Sequence, residues 1–450
     1  MKRSISTIII FVALFTFGNA YSQDTLRIKR CGTNEYMARK MAEDPTLKSR
    51  MEQDELMLQR LSEMNPNGRR ADVNTVVTIP VIFHILYNNA NQNISAARIN
   101  DQINTLNKDY ARLNADSNNT PAVWRPLAAN TNIQFCAAQR DPSGNPLAEP
   151  GITRVSVSVA GFDPILSDSV KYTTKGGDDA WSRNQYLNVW VCNFIGNSVD
   201  LLGISQFPNM AAATDGCCVL YSTVGGATTH GTLHNYNLGR TLTHEAGHWF
   251  GLHHVWGDDD DNLSGLCHSA TECGGSDNVS DTPNQGVENY GAPAFPHIDC
   301  CSSTATGDPV NGVMFMNYMD YVNDNAMNLF TAGQSTIMNN VVNNVRSTIK
   351  NSNGCLVPSG IEDVNSFMLD VTVFPNPSQG TLTVSGQLYK YSDVTVTVSN
   401  ALGELVYVKE IKNALDIYLS VDLSANSNGI YNLSIKSNDA LTNRKVIVSR

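Results

Sequence analysis

The stretch that most constrains this chain is Arg240-Thr-Leu-Thr-His-Glu-Ala-Gly-His-Trp-Phe-Gly-Leu-His-His-Val-Trp-Gly-Asp258. It sets His244, Glu245, His248, Gly251 and His254 in the spacing HExxHxxGxxH. Residues four apart share one face of a helix, so His244 and His248 can grip a single ion. Glu245 follows the first ligand, where its carboxylate can take a proton from a water held at that ion. Gly251 accepts the left-handed backbone that ends a helix, which lets His254 return as third ligand. His253 stands beside His254, but only His254 keeps the spacing. Three imidazoles and an open fourth position describe a catalytic zinc site, because structural sites fill all four positions with protein. The competing reading, an amphipathic core helix with incidental histidines, needs the whole spacing to arise by chance from nine histidines.

Downstream, Asn317-Tyr-Met-Asp-Tyr321 supplies the methionine turn that should follow the long form of this motif. With these two elements the chain resembles the metzincin metallopeptidases of the pappalysin family over about residues 75–355. Gly-Gly-Asp-Asp-Ala-Trp181, Tyr-Leu-Asn-Val-Trp-Val191, Leu-Leu-Gly-Ile204 and Asp-Thr-Pro283 carry the resemblance further. It implies an α+β, metzincin-like catalytic domain: a twisted, mostly parallel sheet, active-site and backing helices, and an irregular C-terminal subdomain. It implies Met319 as an apolar floor beneath the ligands and the Tyr321 hydroxyl as a donor to a developing oxyanion. Asp324 matches a carboxylate at the bottom of the pocket for the side chain just after the scissile bond, which would select Arg or Lys. The family cysteine shortly after the methionine turn is absent, its place taken by Ala326.

Two further features gain meaning from the resemblance. Lys29-Arg-Cys-Gly-Thr33 stands in a polar stretch, residues 23–70, with no strong apolar periodicity. A lone cysteine there could be a free thiol or a disulfide partner. The sharper expectation is a latency switch, with the Cys31 thiolate as fourth zinc ligand excluding the catalytic water. Its release would need a cut, for which Gly68-Arg69-Arg70-Ala71 is the candidate. In the long irregular region 255–312, Asp277, Asp281 and Thr282 match a family stretch that supplies calcium ligands, and Asp258-Asp-Asp-Asp261 is a second acidic run. Clustered oxygens suit calcium, and solvated turns are the plainer alternative.

Residues 1–22 read as a signal peptide, with basic Lys2 and Arg3, an apolar run from Ile8 to Phe17 and small Gly18 and Ala20. No other segment approaches transmembrane length. Export allows disulfides among the ten cysteines. Cys267, Cys273, Cys300 and Cys301 could staple the irregular loop, whereas Cys136, Cys192, Cys217, Cys218 and Cys355 are as readily buried thiols as bridges. A net charge of −11 argues against a general affinity for nucleic acid or anionic membranes.

The expected organisation is therefore signal peptide 1–22, prosegment 23–70, catalytic domain 71–357 and a β-sandwich at 358–450. Val76–Tyr87, residues 133–138, 187–192 and 218–221 read as strands, and Leu201–Phe207 as the edge strand along which an extended substrate would add. His84, His230 and His234 lack ligand spacing and are expected to be structural or loop residues. Helices are expected from about Ser95, with Ile99, Ile103, Leu106, Tyr110 and Leu113 on one face, and from Thr331 to about Lys350. Seven short β-rich segments follow residue 371. Phe374-Pro-Asn-Pro-Ser-Gln-Gly380 and the basic end resemble the sorting domain of the type IX secretion system, a generic binding module being the alternative. Together these features describe a latent, secreted zinc endopeptidase, its partners being peptide substrates and the secretion machinery. An adhesion protein with a weak zinc-fold head is opposed by the intact Glu245, and a zinc hydrolase of other bonds by the edge strand and Cys31.

Overall fold

The computed structural model describes residues 28–64, 76–258, 273–357, 368–437 and 441–450. The signal peptide, the Gly68–Ala71 site, Asp259–Asp261 and Cys267 lie outside them.

A seven-stranded mixed sheet organises the first part of the chain. Its spine is β2 (Val77–Tyr87), whose Ile79, Val81, Phe83 and Ile85 are fully buried. Numbered in chain order, the other strands are β1 (Lys29–Cys31), β3 (Ile133–Ala137), β4 (Ile152–Ser156), β5 (Leu187–Cys192), β6 (Leu201–Ser205) and β7 (Cys217–Leu220). β3, β4 and β5 all run parallel to β2, and β7 runs parallel to β5. Only β6 runs antiparallel to its neighbour β7. Near-continuous apolar strands of this kind suit a sheet covered on both faces.

β6 is not the edge. β1 lies parallel along it, with Lys29 opposite Leu201 and Cys31 opposite Gly203. The free backbone groups of an edge strand are a template for any extended segment, and here the chain's own N-terminal segment takes that place. That segment is also more ordered than its composition suggests. It continues as α1 (Thr33–Glu43) and α2 (Leu47–Met64), anchored by buried Tyr36, Met37 and Leu47. Docking against the sheet supplies what the weak periodicity lacks.

α3 (Ala96–Tyr110) begins at Ser95, whose hydroxyl accepts from the Arg98 N–H at 3.3 Å. It packs Ile99, Ile103, Leu106 and Tyr110 into the core beside α4 (Arg240–Trp249). It ends earlier than its apolar stripe suggests: Arg112 turns left-handed and Leu113 is exposed. The last helix of this part is also shorter than expected. α5 (Ala332–Asn340) opens with a capping box between Thr331 and Gln334, then loosens into a π turn at Val341–Val345 and a 3-10 turn at Ser347–Asn351. The extra residue swings Arg346 inward, where it lies 3.7 Å above the Trp249 ring and pairs with Asp215 at 3.0 Å. Disulfides join Cys136 to Cys355 and Cys273 to Cys301, while Cys192, Cys217 and Cys218 are buried thiols.

The C-terminal part is antiparallel, with β8 (Met368–Phe374), β9 (Thr381–Ser399), β10 (Leu405–Asp422), β11 (Gly429–Lys436) and β12 (Leu441–Val448). Seven expected strands are thus five. The polar gaps within 381–399 and 405–422 stay in the ladder, with register shifts near Ala414 absorbing the irregularity. Both halves of β9 feed one core, Leu382 and Val384 meeting Val396, Val398, Leu433 and Val446. The five strands form one antiparallel sheet, and Arg444 ties β12 to the Val371 carbonyl of β8 at 3.3 Å.

Candidate active site

All ten residues of α4 are buried. Met319 sits beneath the helix: a Cβ added at Gly247 would meet its Sδ at 2.5 Å, so glycine is what lets the methionine turn approach. Gly251 adopts φ 88° just after the helix, and the chain turns back to bring His254 to the other two histidines. The Nε2 atoms of His244, His248 and His254 lie 3.1–3.3 Å from one another. Each Nδ1 faces an acceptor: the Tyr318 carbonyl for His244 (2.7 Å), the Leu252 carbonyl for His248 (2.7 Å) and the Asp258 carboxylate for His254. A carbonyl can only accept, so the protons sit on Nδ1 and bare Nε2 lone pairs converge on one point. Burial holds His244 and His248 well below the usual histidine range.

That arrangement fits a cation. Ligands held at about 2.0–2.1 Å from a tetrahedral ion stand roughly 3.3 Å apart, which is the spacing of the three nitrogens. The Cys31 sulfur belongs to the same group, its donor atom lying with the three nitrogens within 4.8 Å.

Glu245 is wholly buried, and its Oε1 has no hydrogen-bond partner among the described residues. Burial pushes its carboxyl up to about 8, against the pull of Cys31, Arg30 and Thr33. Its Oε2 lies 3.5 Å from the Cys31 sulfur and 3.4 Å from the Thr33 hydroxyl. Thr33 ties this corner together: its hydroxyl accepts from the Ser205 N–H at 3.0 Å and lies 3.0 Å from the Cys31 sulfur. A Cβ at Gly203 would strike Glu245 Oε1 at 2.6 Å, so β6 can press on the carboxylate only as glycine. The Tyr321 hydroxyl donates to the Cys31 carbonyl at 2.9 Å. Next to Cys31, the Arg30 guanidinium pairs with Asp324 at 2.5 Å, donates to the Val322 carbonyl at 2.9 Å and lies over the Tyr236 ring. Both charged side chains are fully buried. Asp324 Oδ2 also accepts from the Leu238 and Arg240 N–H groups at the start of α4.

The expected calcium stretch finds no such support. Asp277 accepts from the Thr282 hydroxyl at 2.8 Å and the Val279 N–H at 3.1 Å, and burial pushes it up to about 7. Asp281 accepts from the Thr331 hydroxyl and the Gly333 N–H, at the start of α5. These oxygens have protein donors, and burial shifts Asp277 toward its neutral form. Asp258, the first residue of the other acidic run, holds His253 at 3.0 Å and His254. His84 is buried between Asp178 and Asn188, and His230 and His234 are exposed loop residues. Sequence reasoning missed Arg30, Thr33 and Asp258. Arg30 carried a signal, since a basic residue beside Cys31 matches a pocket expected to take Arg.

Comparison with known proteins agrees with this geometry. Residues 172–343 match the family described as pregnancy-associated plasma protein-A, and residues 372–449 match the secretion system C-terminal sorting domain. Promirolysin of Tannerella forsythia, solved as a mutant, is 40% identical over 72% of this chain and 97% of its own, with a TM-score of 0.60. Mature mirolysin of the same organism, in complex with a cleaved peptide, is 44% identical over 62% of this chain and 96% of its own, with a TM-score of 0.54. An extracellular metalloprotease of Sordaria macrospora is 32% identical over 54% of this chain and 85% of its own length. The chain belongs to the pappalysin family of metallopeptidases. This pappalysin is a secreted metalloendopeptidase with a type IX secretion sorting tail. The family implies zinc at the three-histidine cluster. No helix among the described residues is long and apolar enough to cross a membrane.

Proposed function

We propose that this pappalysin is made as a latent zymogen, with signal peptide 1–22, prosegment 23–70, catalytic domain 71–357 and sorting domain 358–450, and that it cleaves peptide bonds before Arg or Lys. In this reading His244, His248 and His254 hold zinc, and Cys31 fills the fourth position until the prosegment leaves. Zinc, when bound, polarises the scissile carbonyl and acidifies a water. Glu245 takes that water's proton and passes it to the leaving amine. A carboxyl raised by burial holds a proton in transit readily, and a nearby cation draws it back toward its ionised form. Tyr321 donates to the oxyanion; in the latent form its hydroxyl is occupied by the Cys31 carbonyl. Met319 and Gly251 shape the cradle.

The observation that carries the proposal is the Arg30–Asp324 pair beside Cys31. The N-terminal segment sets a basic side chain in a buried acidic pocket while its next residue faces the histidines. A guanidinium with a fully buried carboxylate partner is a specific fit.

Wild-type, Glu245→Ala and Cys31→Ala precursors lacking the signal peptide, incubated with a mixed peptide library, test the reading by mass spectrometry. Expected are cuts before Arg or Lys by wild type, earlier onset for Cys31→Ala and none for Glu245→Ala. Cuts without basic preference would remove the role given to Asp324. Unchanged latency in Cys31→Ala would remove the switch.

A further inference from the structure

The N-terminal segment fills a second pocket, on the other side of Cys31 from Asp324. Tyr36, in the first turns of α1, is fully buried, although its segment is an addition to the sheet. Its hydroxyl donates to Gln206 Oε1 at 3.2 Å. The Lys171 ammonium lies 3.4 Å from that hydroxyl and 4.8 Å from the ring centroid. Lys171 is itself buried, 1% exposed, and lies 5.2 Å from the Trp190 ring.

Each polar wall residue also has a partner other than Tyr36. Lys171 donates to the Thr214 carbonyl at 2.7 Å, Gln206 donates to the Ala211 carbonyl at 2.8 Å, and the Thr214 hydroxyl donates to Gln206 at 2.7 Å. Trp190 is fixed through its indole N–H to the Asp178 carbonyl at 2.8 Å. Phe207, Met210, Leu201 and Ile204 complete an apolar lining. Departure of the segment would leave a buried ammonium and an amide oxygen at the bottom of a formed aromatic pocket. A desolvated cation beside aromatic faces favours a further ring with a polar tip.

We propose that this Lys171–Gln206 pocket is a subsite for an aromatic side chain, tyrosine above all, on the amino-terminal side of the scissile bond. The side follows from chain order and rests on the reading of residues 28–64 as prosegment and of Asp324 as the pocket just after the bond. Along β6 the order is Asp324 pocket, Cys31 position, Tyr36 pocket, since Arg30 precedes Cys31 and Tyr36 follows it. A substrate with its post-scissile Arg at Asp324 enters the Tyr36 pocket with an earlier residue. It therefore runs opposite to β1, which is parallel to β6.

The test uses activated wild-type enzyme and two synthetic peptides covering Thr33–Glu43, one native at Tyr36 and one carrying Tyr36→Ala, both with Arg39 replaced and Lys40 acetylated to resist cleavage. Neither contains Cys31 or Arg30, so both bypass the zinc and the Asp324 pocket. The native peptide should inhibit roughly tenfold more strongly, the scale of one desolvated cation–aromatic contact. In a peptide library, Tyr and Phe should be enriched at one position before the cut, and Lys171→Met should abolish that enrichment by raising KM. Equal inhibition by the two peptides together with no aromatic enrichment overturns the proposal. So does enrichment of Asp or Glu there, which would make Lys171 an anion site. Basic enrichment after the cut is read separately in the same library, so failure of the Asp324 reading is distinguishable. Should Lys171→Met not fold, the wild-type peptide pair and library still decide.

Discussion

Two regions were expected to hold metal, and they differ in what the protein does with their donor atoms. At His244, His248 and His254 every outer nitrogen is engaged by protein, and every inner nitrogen faces the other two. At Asp277 and Asp281 the carboxylate oxygens accept from protein donors: the Thr282 and Thr331 hydroxyls and the Val279 and Gly333 N–H groups. The first arrangement is satisfied only when a cation is added, and the second is satisfied as it stands. Donor residues in sequence are therefore weaker evidence than donor atoms left facing each other once their other partners are counted.

The largest effect separating the regions should come from His248→Ala, which removes one of three converging donors. Zinc content by elemental analysis should fall below one per chain and peptidase activity should drop at least 10^2–10^4-fold, the scale of losing the assembled acid–base centre. Full zinc retention in that variant would break the comparison at its stronger end. Asp258→Asn comes next. It keeps the contact to His254 but removes the charge, and zinc affinity by competitive chelation should weaken about 10–100-fold. Asp281→Ala should leave zinc content unchanged and cost about 1 kcal/mol in denaturant unfolding, as loss of a helix-end acceptor does.

The smallest effect is a pH dependence. Burial raises Asp277 to about 7 in the folded state, above its ordinary 3.8. The folded form therefore binds the proton more tightly, so this group's contribution is fully present below about pH 4 and lost as pH rises toward 7. Asp277→Asn should flatten the melting temperature between those values. Added calcium that raises the melting temperature of wild type but not of Asp277→Asn, increasingly with pH, would reverse the sign and restore a metal role to the region.

Some of this molecule was legible in order along the chain. The helical spacing of His244, Glu245 and His248 sets three side chains within two turns, and Gly251 marks the reversal, because local angles alone decide both. The apolar strands and the register of α3 follow from the same short-range periods, as does the Ser95 cap. Other features depend on residues that meet only after the whole chain has packed. Arg30 finds Asp324 across 294 positions, and Cys136 finds Cys355 across 219. The merger of seven β segments into five strands depended on partners that kept the polar gaps in the ladder. The N-terminal helices take their order from docking, and the Tyr36 pocket is assembled from α1, a 3-10 turn and loops beside β6. Spacing within a helix is set by bonds a few residues long, whereas which charges and rings become neighbours is set by how sheet, helices and loops bury one another.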